Sequence, residues 1–306
     1  MSLVLPTVQT EPRLGFVDLA RLYWEMTRPR VLALVLFTGL PALAMAEGGW
    51  PSPGKAALVL LGTAMAGAAC SVLNAYLERD IDARMARTQL RPLPAASVAP
   101  GHALFYGVGL SVASTALLWA VGGPVAAAVG LLSILFYVFV YTLGLKRRTA
   151  QNIVIGGAAG ATAPLIAEAA LTGQLTSASW ILFLIIFLWT PPHFWAIALY
   201  RKDDYAAAGV PMMPNVVGDQ GTRWRMLAYT LLLVPVTLAP CFTGHLSVVY
   251  GVVALASGLW FTWHNVRVLQ AQDYEQDRVM FKASVAYLFI LFGAMLIDLA
   301  LAPLAR

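Results

Sequence analysis

The sequence predicts an all-α, polytopic membrane protein. Of its 306 residues, 59% are hydrophobic and only 11% are charged, and the mean hydropathy is +0.73. Soluble globular domains carry about 25% charged residues. Long apolar stretches alternate with short segments that hold most of the charge. The net charge of +5 is therefore interpreted as a signal of membrane topology and not of nucleic-acid binding.

Nine stretches are apolar over a length that can span a hydrocarbon core, which needs about 20 helical residues. The predicted spans are 31–47, 56–77, 102–121, 124–145, 152–172, 178–200, 226–243, 246–265 and 283–303. No linker is long enough to hold a separate soluble domain. We therefore predict an N-terminal segment, 1–30, followed by a single transmembrane domain, 31–306.

The basic residues predict the orientation of these spans. Cytoplasmic loops carry an excess of Lys and Arg, and with the N-terminus inside, 18 of the 20 Lys and Arg residues fall in inner segments. Lys55 and Arg306 are the two that fall outside. The longer, charged loops also lie on the inner side. The sequence thus predicts a protein of the bacterial inner membrane whose site faces the cytoplasm.

The first long inner loop, residues 74–94, begins with a regular acidic pattern. If the second helix continues into the loop, Asn74, Glu78 and Asp82 recur at every fourth residue and share one face. Mg²⁺ commonly takes one or two carboxylates and completes its shell with water and substrate phosphate. The amide and the two carboxylates therefore predict a magnesium site.

Basic residues surround this acidic face. Arg87 and Arg91 follow in the same loop, and Lys146, Arg147 and Arg148 open the next inner loop. Guanidinium forks and ammonium groups bind phosphate oxygens. The combination predicts a magnesium diphosphate, with the carboxylates holding the metal and the basic groups holding the phosphates.

The alternative for this loop is a solvated helix end with ion pairs of little energetic value. Asp80 lies on the opposite face of the helix, where Arg79 or Arg84 would neutralise it. The basic residues alone could be explained by topology, but acidic residues contribute little to orientation. Their presence among the basic residues favours a binding site.

The sixth span contains the sequence WTPPHFW, residues 189–195. Its two prolines free backbone carbonyls inside an apolar helix. His193 lies about 10 Å from the inner end of the span, beside Trp189, Phe194 and Trp195. Two interpretations are open: a kinked helix whose histidine bonds to a neighbouring helix, or a polar group in an aromatic pocket that ligates iron or moves a proton.

The loop after the sixth span resembles the first acidic loop. Asp204 precedes Pro214 by ten residues, as Asp82 precedes Pro94 by twelve, and Tyr200 lies nearby. A duplicated four-helix unit would bring both loops to one cavity. Chance similarity between two loop ends is the alternative. We expect Asp204 to supply a second carboxylate opposite the first acidic face.

Two more acidic residues, Glu168 and Asp298, lie at membrane depth near the outer side. Ionisable groups at this depth are costly unless they are paired or hydrogen-bonded. We expect both either to make hydrogen bonds between helices or to lie at the outer interface.

These residues resemble those of the UbiA superfamily of membrane prenyltransferases over nearly the whole chain. The resemblance rests on NAYLERDIDARMARTQLRPLP, YTLGLKRRTAQNIVIGGAAGATAPL, WTPPHFWAIAL and DYAAAGVPMMP. It implies nine helices around a central cavity and two acidic motifs that bind Mg²⁺ and a prenyl diphosphate. The implied metal ligands are Asn74, Glu78, Asp82 and Asp204. The implied diphosphate ligands are Asn74, Arg87, Arg91, Lys146 and Arg147.

Three of the matching stretches, RTxxRPLP, LKRxTxxNIVIGG and PPHFW, resemble the members of the superfamily that act on haem. They imply transfer of the farnesyl group of farnesyl diphosphate to a vinyl group of protohaem IX in the lipid bilayer, with haem A synthase or terminal oxidase assembly proteins as partners. Asp82, His193 and Asp204 are the implied catalytic residues. The implied pocket for haem and the prenyl chain is formed by Trp189, His193, Phe194, Trp195 and Tyr200.

Two other functions are compatible with parts of this pattern. A UbiA-type enzyme could act on a quinone precursor or another aromatic acceptor. A secondary transporter could also show repeats, broken helices and buried acidic residues. A transporter needs access from both faces, however, and the outer loops of this chain are nearly bare of polar groups.

Overall fold

The computed structural model describes residues 15–46, 51–271 and 273–301. Within these ranges the chain forms helices and turns and no strand, which confirms the predicted all-α class. The helices are α1 (Phe16–Met26), α2 (Pro29–Ala46), α3 (Pro53–Leu77), α4 (Arg79–Asp82), α5 (Pro100–Leu135), α6 (Asn152–Gly160), α7 (Ala163–Thr172), α8 (Ser177–Tyr200), α9 (Lys202–Ala207), α10 (Met213–Phe242), α11 (Val248–Gln270) and α12 (Glu275–Leu301). A π-helical segment, Phe136–Leu145, continues α5.

Seven helical stretches in the described ranges are long and apolar enough to cross a membrane. They are Pro29–Ala46, Pro53–Leu77, Pro100–Leu145, Asn152–Thr172, Ser177–Tyr200, Met213–Phe242 and Glu275–Leu301. The sequence predicts nine spans, two more than these seven, and each of the two has its own explanation. The predicted third and fourth spans share one continuous element, and α11 is not among the seven because polar residues and tryptophans lower the hydropathy of its inner half.

Gly123 divides the long element that begins with α5. Its φ of 77° and ψ of −174° lie outside the region that residues with a side chain readily adopt. A Cβ atom on Gly130 would lie 2.6 Å from Leu118 Cδ1, whereas a straight helix would separate these residues by about 18 Å. Leu118 also contacts Gly62 of α3, and Ile134 packs in a cluster with α3. The chain therefore folds back at Gly123.

Small residues let several helices approach closely, as is common between membrane helices. A Cβ atom on Gly156 of α6 would overlap the ring of Tyr141 in the π-helical segment. One on Gly122 would lie 2.6 Å from the Cβ atom of Ala170 in α7. The first contact fixes α6 against the π-helical segment, and the second fixes the turn at Gly123 against the C-terminal end of α7.

Two acidic residues at membrane depth anchor the starts of helices. Glu168 accepts hydrogen bonds from the backbone N–H of Thr176, at 2.7 Å, and from the hydroxyl of Ser179, at the start of α8. Asp298 accepts from the backbone N–H of Ser247, at 2.8 Å, and from its hydroxyl, at the start of α11. Of the two expectations for these acidic residues, hydrogen bonding between helices is confirmed for both.

The helices α10 and α12 both begin before the predicted spans, and a buried ion pair joins these extensions. Arg223 Nη2 lies 2.8 Å from Asp277 Oδ2, with side-chain exposures of 6% and 0%. Arg223 also donates to the carbonyl oxygens of Ala271, at 2.6 Å, and Asp273, at 3.2 Å. Hydropathy alone places Arg223 and Asp277 in loops. The ion pair and the backbone hydrogen bonds satisfy these charged groups, so both extensions can be helical. Of the basic residues used to predict topology, Arg13 and Arg306 lie outside the described residues.

Candidate active site

The acidic face of the loop 74–94 is buried at the C-terminal end of α3. Glu78 lies between α3 and the short helix α4. The four-residue spacing persists through this junction, because the N–H of Glu78 donates to the carbonyl of Asn74, at 2.9 Å, and the N–H of Asp82 donates to that of Glu78, at 2.8 Å. The exposed fractions are 1% for Asn74 and 2% for Glu78 and Asp82. This burial argues against a solvated helix end.

The π-helical segment places two side chains in register with this face. Asn74 Nδ2 donates to Thr142 Oγ1, at 3.2 Å, and Lys146 Nζ donates to Glu78 Oε2, at 2.6 Å. Both pairs are 68 residues apart in sequence, so the segment and α3 run side by side in the same direction. The N–H of Lys146 donates to the carbonyl of Tyr141, five residues earlier, at 2.9 Å, which is the hydrogen-bond pattern of a π-helix. Such π-helical turns are frequent at functional sites.

Two arginines complete the cluster. Arg91 Nη1 donates to both carboxylate oxygens of Asp82, at 2.9 and 3.1 Å. Arg28 Nη2 donates to Asn74 Oδ1, at 3.2 Å. Burial and the positive charge of Arg28 lower the pKa of Arg91, and the Asp82 carboxylate opposes this shift. A cavity of about 40 Å³ lies between Arg28, Asp82 and Arg91, so the three side chains line one space.

Arg28 is a site residue that the sequence assigns only to membrane topology. Its φ of 55° is uncommon for a residue other than glycine. Proline disfavours the α-helical conformation of the residue before it, and Pro29 follows directly. The turn between α1 and α2 then directs the guanidinium to Asn74. An arginine before a proline at the start of the first span was the available signal.

Arg87 joins the two acidic loops. Its Nη2 donates to the hydroxyl of Tyr205, at 3.0 Å, and its Cζ lies 5.5 Å from the centre of the Tyr205 ring. Tyr205 packs in a buried apolar cluster with Ile81 and Met85. The loop that contains α9 therefore lies against the loop that contains α4, although 118 residues separate Arg87 from Tyr205 in sequence.

The predicted metal ligands do not converge as one group. Among the described residues, no three His, Cys, Asp or Glu side chains are placed to hold a metal ion. Asp204 instead lies 3.5 Å from Arg201, measured between Oδ2 and Nη1. Two carboxylate oxygens, Glu78 Oε1 and Asp204 Oδ2, are buried and accept no hydrogen bond within the described part of the chain. Such groups are costly unless a ligand satisfies them.

Arg147 binds on the other side of the helix from the cluster. It forms a two-pronged ion pair with Asp80, at 2.7 and 2.9 Å, and both side chains are about half exposed. These hydrogen bonds lower the pKa of Asp80. The prediction that Arg79 or Arg84 neutralises Asp80 is wrong, and Arg79 instead donates to the carbonyl of Tyr76, at 2.7 Å. Arg147 therefore holds its loop against the end of α3.

His193 lies between α8 and α12. Its Nδ1 is 2.7 Å from Ser284 Oγ, and its ring stacks on Trp189 at 4.2 Å between centroids. The Phe281 ring lies 5.0 Å away. His193 therefore bonds to a neighbouring helix, and this bond uses one of its two ring nitrogens. The helix α8 continues through both prolines without a break.

The predicted aromatic pocket forms only in part. Trp195 is 1% exposed and meets Tyr229 edge to face, within the helix core. Phe194 is 38% exposed, and its ring is nearly perpendicular to the His193 ring, with 5.4 Å between the two centroids. Tyr200 lies at the inner end of α8, 5.5 Å from Arg278 Cζ. His193, Phe194 and Trp195 are consecutive, and consecutive residues of a helix point in different directions. Their side chains therefore cannot all line one wall of a pocket.

Comparison with known proteins identifies the family of this chain. The UbiA prenyltransferase family matches residues 35–296. The protoheme IX farnesyltransferase of Rhodopseudomonas palustris is 45% identical over 299 residues, which cover 96% of this chain and 95% of the relative. The protein of the same name from Gloeobacter violaceus is 45% identical over 277 residues, covering 90% and 91%.

Solved structures share the fold. The structure of a digeranylgeranylglyceryl phosphate synthase superposes with a TM-score of 0.77 at 17% identity, covering 92% of this chain and 98% of the other. A UbiA homologue from Archaeoglobus fulgidus, bound to DMAPP and Mg²⁺, has a TM-score of 0.66 at 17% identity, covering 89% and 98%. The match to the family and the identity to these relatives over nearly their whole length show that this chain belongs to the UbiA prenyltransferase family.

Proposed function

We propose that this chain is a prenyltransferase that joins the farnesyl group of farnesyl diphosphate to a vinyl group of protohaem IX, giving haem O and diphosphate. The acceptor is supported by relatives named protoheme IX farnesyltransferase, with which the chain shares about 45% identity. The observation that carries the proposal is the buried cluster in which Lys146 binds Glu78 and Arg91 binds Asp82. Such a cluster is suited to a diphosphate and its metal.

The cations of the cluster outnumber its carboxylates. Arg28, Arg91 and Lys146 face Glu78 and Asp82. A guanidinium has five N–H donors and an ammonium has three, so each cation retains donors for phosphate oxygens. In a water-poor site these fixed donors stabilise the charge that develops on the leaving diphosphate. This stabilisation is the main contribution of the chain to breaking the allylic C–O bond.

The residues of the cluster fit Mg²⁺. Magnesium ions at phosphate sites take one or two carboxylates together with phosphate oxygens and water, and Glu78 offers a buried oxygen that has no partner among the described residues. A homologue is known with DMAPP and Mg²⁺. Glu78, Asp82 and Asn74 would hold the ion from α3 and α4. When bound, Mg²⁺ neutralises charge on the diphosphate.

The acceptor reacts at the allylic carbon of the prenyl chain. The π electrons of the vinyl group form the new C–C bond as the C–O bond to diphosphate breaks. Water then adds to the remaining vinyl carbon and loses a proton, which leaves a hydroxyl group. Aromatic faces stabilise a nearby carbocation, and Trp189 and Phe194 are our candidates because both rings contact His193.

We also propose that the single transmembrane domain, 31–306, crosses the bacterial inner membrane nine times, with the segment 1–30 in the cytoplasm. The reversal at Gly123 supports two crossings within the long element that contains α5, and α11 is 23 residues long. The inner position of most basic residues supports the orientation. The site would then face the cytoplasm, where a haem A synthase or a terminal oxidase assembly protein could receive the product.

The test is a direct assay of the purified protein. We expect protohaem IX, farnesyl diphosphate and Mg²⁺ to yield haem O, detected by its mass, and removal of Mg²⁺ with a chelator to stop the reaction. An aromatic quinone precursor in place of protohaem IX should give no prenylated product. Product from the quinone precursor and none from protohaem IX would refute the assigned acceptor.

A further inference from the structure

One residue of α12, Ser284, holds two aromatic rings of α8. Its hydroxyl oxygen is 2.7 Å from His193 Nδ1, and its carbonyl oxygen accepts a 2.8 Å hydrogen bond from Trp189 Nε1. Trp189 and His193 are one helical turn apart, and their rings stack with an angle of 19° between planes. Ser284 is 0% exposed, so the arrangement is built into the interface between the two helices.

A second contact of the Ser284 hydroxyl favours one position for its proton. The oxygen is also 2.6 Å from the carbonyl oxygen of Phe281, which can only accept a hydrogen bond. A serine hydroxyl has one proton and can accept through its lone pairs. If that proton goes to Phe281, the bond to His193 must be donated by the imidazole. His193 is then protonated on Nδ1 and carries a lone pair on Nε2.

The other ring nitrogen of His193 is open. Nε2 makes no hydrogen bond to any residue in the described ranges, and it is not one of the fully buried polar atoms without a partner. The residue as a whole is 8% exposed. A neutral imidazole whose far nitrogen donates to a fixed acceptor is the usual form of a metal-binding histidine.

We infer that Ser284 positions His193 so that Nε2 presents its lone pair to the iron of the acceptor haem. This inference rests on the proposed function, because it assumes that haem is the acceptor. The iron–imidazole bond would fix the porphyrin relative to α8. Ser284 is then a positioning residue, which acts on haem through His193.

The tautomer is tested first, without haem. The chain has four histidines, so ¹⁵N NMR of histidine-labelled protein can resolve His193 by comparison with His193→Gly. We expect a protonated Nδ1 and an unprotonated Nε2 in the wild type. In Ser284→Ala, which keeps the carbonyl that binds Trp189, we expect a mixture of the two tautomers. A wild-type ring protonated on Nε2 would overturn the inference.

Haem titration tests the iron contact. We expect wild-type protein to give the Soret band of imidazole-ligated haem, His193→Gly to lose it, and added imidazole to restore it. Ser284→Ala should weaken haem binding about tenfold, as is typical when the partner of a metal-binding histidine is removed. Ser257→Ala is the matched control, because Ser257 is buried and bonds only to a carbonyl of its own helix within the described residues. Unchanged haem affinity in Ser284→Ala overturns the inference.

The two proposals fail in different ways. If wild-type protein forms haem O but His193→Gly keeps the same Soret band, the acceptor is right and the role of His193 and Ser284 is wrong. If wild-type protein neither binds protohaem IX nor converts it, the proposed function itself fails, and the inference fails with it.

Discussion

At the scale of single residues, the site depends on which face of a helix each side chain occupies. The predicted face with Asn74, Glu78 and Asp82 is buried, because the helical spacing persists across the junction of α3 and α4. The basic residues are harder to assign from sequence. Lys146 and Arg147 are neighbours, yet one binds Glu78 inside the cluster and the other binds Asp80 outside it.

Arg28 provides a test at this scale. We expect Arg28→Ala to raise KM for farnesyl diphosphate by a factor of about 10 to 150, because a charged hydrogen bond to the bound diphosphate is worth about 1.5–3 kcal/mol. Arg30→Ala, two residues away at an exposed position, should leave KM unchanged. Steady-state kinetics of both variants measures the difference. Equal KM values would place Arg28 outside the diphosphate site.

The sequence marks Arg28 only by its place before a proline and does not mark Ser284 as a site residue, and the reason is physical. Both act through contacts between helices that are far apart in the chain: Arg28 is 46 residues from Asn74, and Ser284 is 91 residues from His193. Helical periodicity places residues on a face of their own helix, but it does not say which helix that face meets. The sequence predicts that Asp204 faces the first acidic face, but in the structure its carboxylate lies beside Arg201.

At the scale of elements, the π-helical segment and α6 must pack closely for Thr142 and Lys146 to reach α3. Gly156 allows this approach, since any side chain there would overlap the ring of Tyr141. The sequence predicts apolar spans at these positions, but hydropathy does not distinguish a π-helical turn from an α-helical one.

We expect Gly156→Ala to destabilise the protein by about 1–3 kcal/mol, the usual cost of overpacking a tight interface. Gly160→Ala is the matched control in the same helix, because a Cβ atom there would meet no atom within 4 Å. Thermal unfolding of the two variants in detergent gives the comparison. A Tm for Gly156→Ala as high as that for Gly160→Ala would contradict the packing described.

The buried pair of Arg223 and Asp277 joins α10 to α12. Arg223→Met leaves a buried carboxylate unpaired, and we expect a loss of about 3–5 kcal/mol. The double variant Arg223→Met/Asp277→Leu removes both charges and should be more stable than the single variant. Thermal unfolding of the set tests this ordering. A double variant less stable than Arg223→Met would show that the pair does not act as a unit.

At the scale of the whole molecule, composition and the distribution of basic residues predict a helical membrane protein, and the fold agrees. The proposed orientation can be tested after replacement of Cys70 and Cys241. We expect a cysteine at the exposed position Gln89 to react with an impermeant thiol reagent only from the cytoplasmic side. A cysteine at Gln174, which is also exposed, should react only from the opposite side. Labelling of both from one side would refute the proposed topology.

The central claim is that the buried acidic face at α3 and α4 binds the diphosphate with its metal. The most direct measurement is the turnover of Asp82→Asn against that of Asp80→Asn, two residues apart on opposite sides of the helix, with protohaem IX, farnesyl diphosphate and Mg²⁺. We predict that Asp82→Asn lowers turnover by a factor of about 100 or more. Asp80→Asn loses only an exposed ion pair worth about 0–1 kcal/mol of stability and should retain wild-type turnover. Equal turnover in the two variants would contradict the claim.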